Sequence, residues 1–213
     1  MRSVISAHRC PNCEIREPLC FCAMIPRLEL QTRVIILMHT CEEVLTTNTA
    51  RLAAKALTNS ELRIHGRRDD RMSLTGLVQP GRPSFLLYPS SRALELTPEF
   101  VSQLPGPVNL IVPDASWRQT KKFVRREPRL VGIPHVRLPP GPPSEYRLRA
   151  QRDDQNLCTL EAIARAIGIL ESRTAQAGLE TLLRVLVERT LWARGMLAAG
   201  RCTTAGIPPE AFC

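Results

Sequence analysis

Val34-Ile-Ile-Leu-Met38 is apolar at every position, yet it is only one strand long. A strand with one wet face alternates apolar and polar residues. A strand apolar on both sides must be covered on both, which is the situation inside a parallel sheet. Similar runs follow at Ser84–Tyr88, at Val108–Val112 and, more weakly, at His135–Leu138. Segments of helical character separate them. Thr46–Leu57 reads as a helix capped by Thr47 or Asn48, and Pro98–Leu104 as a shorter one. A strongly basic helix is expected from Asp114 to near Pro128. Leu157–Glu171 repeats Leu160, Ile163, Ala164, Ile167 and Leu170 at helical spacing, and Leu179–Arg194 does the same with leucines. Strands alternating with helices predict an α/β fold, a mostly parallel sheet with helices on both faces. Gly200–Cys213 reads as a frayed tail.

The chain has 213 residues, enough for one ordinary domain with a sizeable core. Its 44% hydrophobic and 23% charged residues are globular composition and argue against disorder. Lys and Arg number 29 against 20 acids, a net +9 that predicts a polyanionic partner, nucleic acid or an anionic surface. No apolar run is long enough to span a bilayer. Met1–Arg16 carries no apolar signal core, so a cytoplasmic protein is the expectation. Phosphate-binding G-x-x-x-x-G-K-[ST], dinucleotide-binding G-x-G-x-x-G and zincin H-E-x-x-H motifs are all missing, so nucleotide hydrolysis and dinucleotide redox chemistry have no support.

Four of eight cysteines, Cys10, Cys13, Cys20 and Cys22, fall within 13 residues as C-x2-C-x6-C-x-C. Two close thiolate pairs on turns can complete a tetrahedral zinc site, and four thiolates leave no open position for catalysis. Unligated or disulfide-bonded cysteines are the alternative. The expected organisation is a zinc-binding knuckle over residues 1–26, a catalytic domain over 27–198 and a tail over 199–213.

Pro113-Asp114-Ala115-Ser116-Trp117 directly follows an apolar run. In an open parallel sheet, ligands bind beyond the carboxyl ends of strands, so a functional loop belongs there. The equally weighted alternative is that Asp114 serves only as the N-cap of the next helix, with Trp117 packed into the core. That helix places Arg118, Lys121, Lys122, Arg125 and Arg129 on one face, with Arg126 beside them and Glu127 the one acid. Solvated helix faces usually mix signs, so contact with a phosphate backbone is the better reading. A cluster of Arg63, Arg67, Arg68 and Arg71 is diluted by Asp69 and Asp70. His39 reads as a structural residue at a strand end, and Glu42 and Glu43 as solvated or capping groups.

Taken in order, these blocks resemble the DTW-domain family of tRNA-uridine aminocarboxypropyltransferases. The blocks are C-P-N-C and C-F-C near the N-terminus, Ile36–Leu52 with its histidine, acids and N-T-x-R-L, and Phe85–Ser90. Asp114-Ala-Ser-Trp117 follows, then Ser144–Arg149 and Leu157–Ala162. Ser116 stands for the family's Thr, Thr40 for a Pro and Cys41 for a basic residue. The resemblance implies a fold related to the SPOUT class, with a deep trefoil knot at the C-terminal end of the sheet holding S-adenosylmethionine. It implies transfer of the 3-amino-3-carboxypropyl group to N3 of a uridine in tRNA, with methylthioadenosine released. Asp114 would then be base or orienting acceptor for the N3 proton, Ser116 would hold a carboxylate or the helix start, and Trp117 would stack on a base or wall the pocket. The adenosine part would lie among Tyr88, Pro89, Ser90, Leu138, Pro139, Tyr146, Cys158, Thr159 and Glu161. A SPOUT-like RNA methyltransferase and a non-catalytic zinc-containing RNA- or DNA-binding module are the other readings.

Overall fold

The computed structural model describes residues 8–67, 72–149 and 156–212. Six strands form one sheet: β1 (Arg33–His39), β2 (Ser60–His65), β3 (Ser84–Leu87), β4 (Leu94–Glu95), β5 (Asn109–Asp114) and β6 (His135–Arg137). The spatial order is β2-β1-β5-β3-β6-β4, and every pair is parallel. All four apolar runs became strands. Their side chains divide by parity: Val34, Ile36, Phe85, Leu87, Leu110 and Val112 enter one core cluster, and Ile35, Leu37, Leu86 and Ile111 the other. Both faces of the central strands are therefore buried, as continuous apolarity demanded.

The helices are α1 (Thr40–Glu43), α2 (Ala50–Ala56), α3 (Pro98–Ser102), α4 (Trp117–Arg126), α5 (Thr159–Leu170) and α6 (Arg173–Ala193). The larger core cluster takes the apolar residues of α2, α5 and α6, and the smaller one takes Val124 of α4 with Leu130 and Ile133. In α5, Gly168 suits the close approach of α6, since a Cβ there would lie 3.0 Å from Cβ of Gln176, tighter than ordinary van der Waals contact. Asn48 Oδ1 accepts from the N–H of Arg51 in the first turn of α2, although the N-cap position is Thr49 and the helix starts four residues later than the sequence pattern indicated. The α6 helix begins at Arg173, six residues before its apolar periodicity becomes visible.

Two expectations need correction. β2 was missed because its residues are half-buried and charged, with Glu61 ion-paired to Arg33 and Arg63. The C-terminal stretch is not frayed. It forms two 3-10 turns, Ala199–Arg201 and Pro209–Phe212, and the buried Glu188 of α6 accepts from the backbone and hydroxyls of Thr203 and Thr204. Phe212 then meets Trp192 edge-on at 5.2 Å.

The N-terminal knuckle is fastened to the sheet layers at several points. Cys13, Ile15, Leu19 and Phe21 join the larger core cluster. Arg51 of α2 pairs with Glu14 at 2.7 Å, and Lys55 donates to Asn12. Arg189 of α6 donates to the carbonyls of Leu19 and Cys20. Among the described residues, no helix is long and apolar enough to cross a membrane.

Candidate active site

All six strands run the same way, so their carboxyl ends share one edge of the sheet. Asp114 is the last residue of β5, opposite Met38 of β1. It is only 7% exposed, and both carboxylate oxygens are held. Asn48 Nδ2 donates to Oδ2 at 2.8 Å, and the hydroxyl of Thr159 donates to Oδ1 at 2.5 Å. Thr159 is the first residue of α5, so the positive end of that helix faces the carboxylate. Burial raises the pKa of Asp114, with smaller opposing pulls from the Thr159 and Asn48 hydrogen bonds. The result is a carboxylate in a dry setting, oriented by two donors and more basic than one in water.

Asp114 is not the cap of α4. That position belongs to Ser116, which accepts from the N–H of Gln119 while Gln119 Oε1 accepts from the N–H of Ser116, a reciprocal capping box. Nor does Trp117 enter the core: it is 53% exposed, with its ring 6.5 Å from that of Tyr88. The turn from β5 into α4 thus leaves the acid inside and the indole outside, both on the wall of one cavity.

That cavity, of about 750 Å3, is bounded by Asp114, Trp117, Tyr146, Arg149, Cys158 and Thr159, among others. The segment 144–149 closes it, because Tyr146 donates its hydroxyl to the carbonyl of Thr47 and Arg149 binds the hydroxyl of Thr47 and the carboxylate of Glu42. A second, more apolar cavity of about 620 Å3 shares Ala115, Trp117, Asn156, Leu157 and Thr159 with it. Tyr88, Pro89, Leu138 and Pro139 line this one.

Two expected site residues lie outside both cavities. Ser90 Oγ is 2.8 Å from Nδ1 of His135, and Glu161 is buried, accepting from Ser144, the N–H of Glu145 and the N–H of Cys158. Glu161 thereby ties the start of α5 to the closing segment. Sequence reasoning missed Asn48 as a partner of Asp114, Arg149 as a cavity cation and Glu42 as its counter-ion. His39 ends β1 and caps α1, its Nδ1 accepting from the N–H of Cys41.

On α4, Arg118, Lys121, Lys122, Arg125 and Arg126 are all exposed, and Arg118 borders the Asp114 cavity. Arg129 is exposed too, but the helix ends at Arg126 before Pro128, so Arg129 sits in the 3-10 turn Pro128–Leu130 and does not extend the helix face. None of these cations has an ion-pair partner among the described residues. Of the weaker arginine cluster, Arg63 and Arg67 are occupied by Glu61 and Glu43, and Arg68 and Arg71 lie outside the described residues.

The sulfurs of Cys10, Cys13, Cys20 and Cys22 lie within 4.8 Å of one another, with separations of 3.4 Å for Cys10–Cys22, 3.6 Å for Cys10–Cys20 and 3.7 Å for Cys13–Cys20. A disulfide needs about 2.05 Å, so no two of these four sulfurs are bonded in this structure. A tetrahedron with zinc–sulfur bonds of about 2.3 Å has sulfur–sulfur edges of roughly 3.8 Å, close to those found. The donors suit thiolates: backbone N–H groups of Cys13 and Asn12 draw the Cys10 thiol down to about 6, and Asn12 Nδ2 donates to the Cys22 sulfur. Burial pushes the Cys13 thiol up, which a bound cation would offset.

The sequence profile described as the DTW domain matches residues 7–191. The tRNA-uridine aminocarboxypropyltransferase 2 of Macaca fascicularis is 30% identical over 183 residues, which cover 83% of this chain and 60% of that protein. Its Drosophila melanogaster counterpart is 28% identical over 84% of this chain and 72% of its own length. An Arabidopsis thaliana tRNA-uridine aminocarboxypropyltransferase A is 30% identical over 76% and 72% respectively. The chain thus spans about three-fifths of the macaque relative. In fold it is similar to the SAM-dependent rRNA:acp-transferase Tsr3 of Vulcanisaeta distributa, with a TM-score of 0.54 and 20% identity, covering 85% of this chain and 88% of that one.

Proposed function

Since this chain belongs to the DTW-domain family, we propose that it transfers the 3-amino-3-carboxypropyl group of S-adenosylmethionine to N3 of a uridine in tRNA. The relatives' names supply the substrate class. The observation that carries the reading is Asp114 on the wall of a polar cavity that shares five lining residues with an apolar one, with both of its oxygens already oriented.

The two cavities fit the two halves of the donor. Tyr88, Pro89, Leu138 and Pro139 offer apolar surface to an adenosine group, and Thr159 stands where the cavities join. Tyr146, Arg149 and Cys158 surround the polar half, where Arg149 suits an amino-acid carboxylate. When bound, S-adenosylmethionine supplies a carbon made electrophilic by the sulfonium, and the electron pair of the broken carbon–sulfur bond leaves on methylthioadenosine. Asp114 accepts the N3 proton as the N3–carbon bond forms, and its raised pKa narrows the gap to so weak an acid. Fixing the carboxylate beforehand is what presents N3 in line with one of the three sulfonium carbons. Trp117, exposed at the mouth, stacks on the uracil, and the α4 cations hold the adjoining backbone.

Four thiolates at tetrahedral spacing support a structural zinc in the knuckle. The trefoil knot is likewise proposed, on the ground that segments 87–89, 136–141 and 156–162 converge on one cavity beside β6.

That Ser116 rather than Asp114 caps α4 removes the main support for a purely binding role. The test is incubation with unmodified tRNA and cofactor labelled in its carboxyl carbon. Label should enter RNA, and Asp114→Asn should stop it while tRNA binding persists. S-adenosylhomocysteine in place of methylthioadenosine would instead mark a methyltransferase.

A further inference from the structure

Beside the knuckle lies a depression of about 190 Å3 that the proposed reaction does not use. Arg9 and Arg16 of the knuckle, Thr46 and Thr47 before α2, Thr190 of α6 and Arg194 at its C-cap line it. Among the described residues its walls hold three guanidinium groups, three hydroxyls and no carboxylate. Arg9 and Arg16 stand opposite each other in an antiparallel bridge. An anion seated between two guanidinium groups receives charge-assisted hydrogen bonds from both. Arg9 is held by a bond to the carbonyl of Glu14 and Arg194 by one to the carbonyl of Leu148, both through Nη1. A guanidinium carries five N–H donors in a rigid fork, so each retains others in a geometry that matches phosphate.

Its position gives this pocket a purpose. Thr47 is a wall of both this depression and the Asp114 cavity, whose rim also carries Arg118, the first cation of α4. A polynucleotide whose base reached Asp114 would meet α4 along one rim and the Arg9–Arg16–Arg194 group along another. We infer that the depression is a second phosphate site, binding the backbone of the RNA substrate on the knuckle side. The knuckle is then part of the substrate-binding surface as well as of the fold. This inference rests on the RNA reading above.

The test measures equilibrium binding of an unmodified tRNA transcript over a range of salt, using the whole metal-loaded 213-residue chain. Each phosphate contact contributes roughly 0.7–0.9 to the slope of log K against log salt. The Arg9→Gln/Arg194→Gln variant, which removes that one contact, should therefore lose about 0.7–0.9 of that slope and show a higher KM for tRNA, with KM for S-adenosylmethionine unchanged. Arg9→Gln alone, at an exposed side chain, should lose about half as much, which keeps the test open if the double variant folds poorly. Lys121→Ala/Lys122→Ala on α4 is the reference. If α4 lowers the slope and the Arg9 variants do not, the second site is refuted and the transferase reading stands. If neither lowers it, the RNA reading itself falls, and this inference with it.

Discussion

Asn48 donates a 2.8 Å hydrogen bond to Oδ2 of Asp114 from 66 residues away in the chain, while its own Oδ1 accepts from the N–H of Arg51. One amide thus holds the first turn of α2 and orients the carboxylate at the end of β5. Asn48→Ala removes a donor that favours the ionised form of Asp114, and the burial that opposes ionisation remains. The pKa of Asp114 must rise. A base works only when unprotonated, so the acid limb of kcat/KM should move to higher pH, with a folding cost of about 1–3 kcal/mol for the poorly satisfied carboxylate. Methylthioadenosine release measured across pH checks this. A limb that stays in place would show that Asp114 is not the group that titrates.

Trp117 is half-exposed at the junction of both cavities, beside Tyr88. Stacking of a base on an aromatic ring contributes about 1–3 kcal/mol, so Trp117→Ala should lower kcat/KM for tRNA by roughly 5- to 150-fold. Trp117→Phe should recover much of the loss. Thermal stability should hardly change, because the indole leaves little core unfilled. An Ala variant with parental kinetics would place the base elsewhere.

How much of this could be read beforehand follows from the kind of signal each feature leaves. Val34–Met38 and its counterparts became strands because uninterrupted apolarity has one solution in a layered α/β domain. β2 escaped because Glu61 and Arg63 satisfy each other at the edge of the sheet, where charge is tolerated. Asp114, Trp117 and Thr159 were legible through a motif beside a strand end. Arg149 and Glu42 were not singled out as a pair, because they meet only when segment 144–149 folds over the loop after β1. Glu161 has the opposite history: its motif drew attention, but its carboxylate serves Ser144 and the start of α5. Nothing in one-dimensional spacing separates an acid that orients a helix from one that touches a ligand.

The knuckle should bind one zinc per chain, and its loss should reach beyond the knuckle. Arg189 is buried and donates to the carbonyls of Leu19 and Cys20, so unravelling the cysteine loop strands a guanidinium in the core. Leaving such a group unpaired costs at least 1–3 kcal/mol, in addition to the lost metal binding. Cys20→Ser and exhaustive chelation should both lower Tm, with zinc content followed by elemental analysis. A chelated protein that melts at the parental temperature would mean that the four sulfurs hold no structural metal.

Glu188 on α6 provides the pH-dependent anchor of the C-terminal segment. Burial alone would raise its pKa, but the hydroxyls and amides of Thr204 and Thr203 outweigh that and hold it below the ordinary glutamate value. A carboxylate with a depressed folded pKa stabilises the native state fully above its unfolded pKa. That contribution disappears as pH falls through the lower, folded value. Glu188→Gln keeps the shape but offers one acceptor oxygen in place of two, leaving the amide and hydroxyl of Thr204 without their partner. The variant should be less stable by about 1.5–3 kcal/mol at neutral pH, and limited proteolysis should cut it sooner within residues 199–212. The difference in Tm between parent and variant should shrink as pH is lowered below about 4.3, the ordinary glutamate range. A gap that widened on acidification would mean that Glu188 is held protonated, and the tail would then need another anchor.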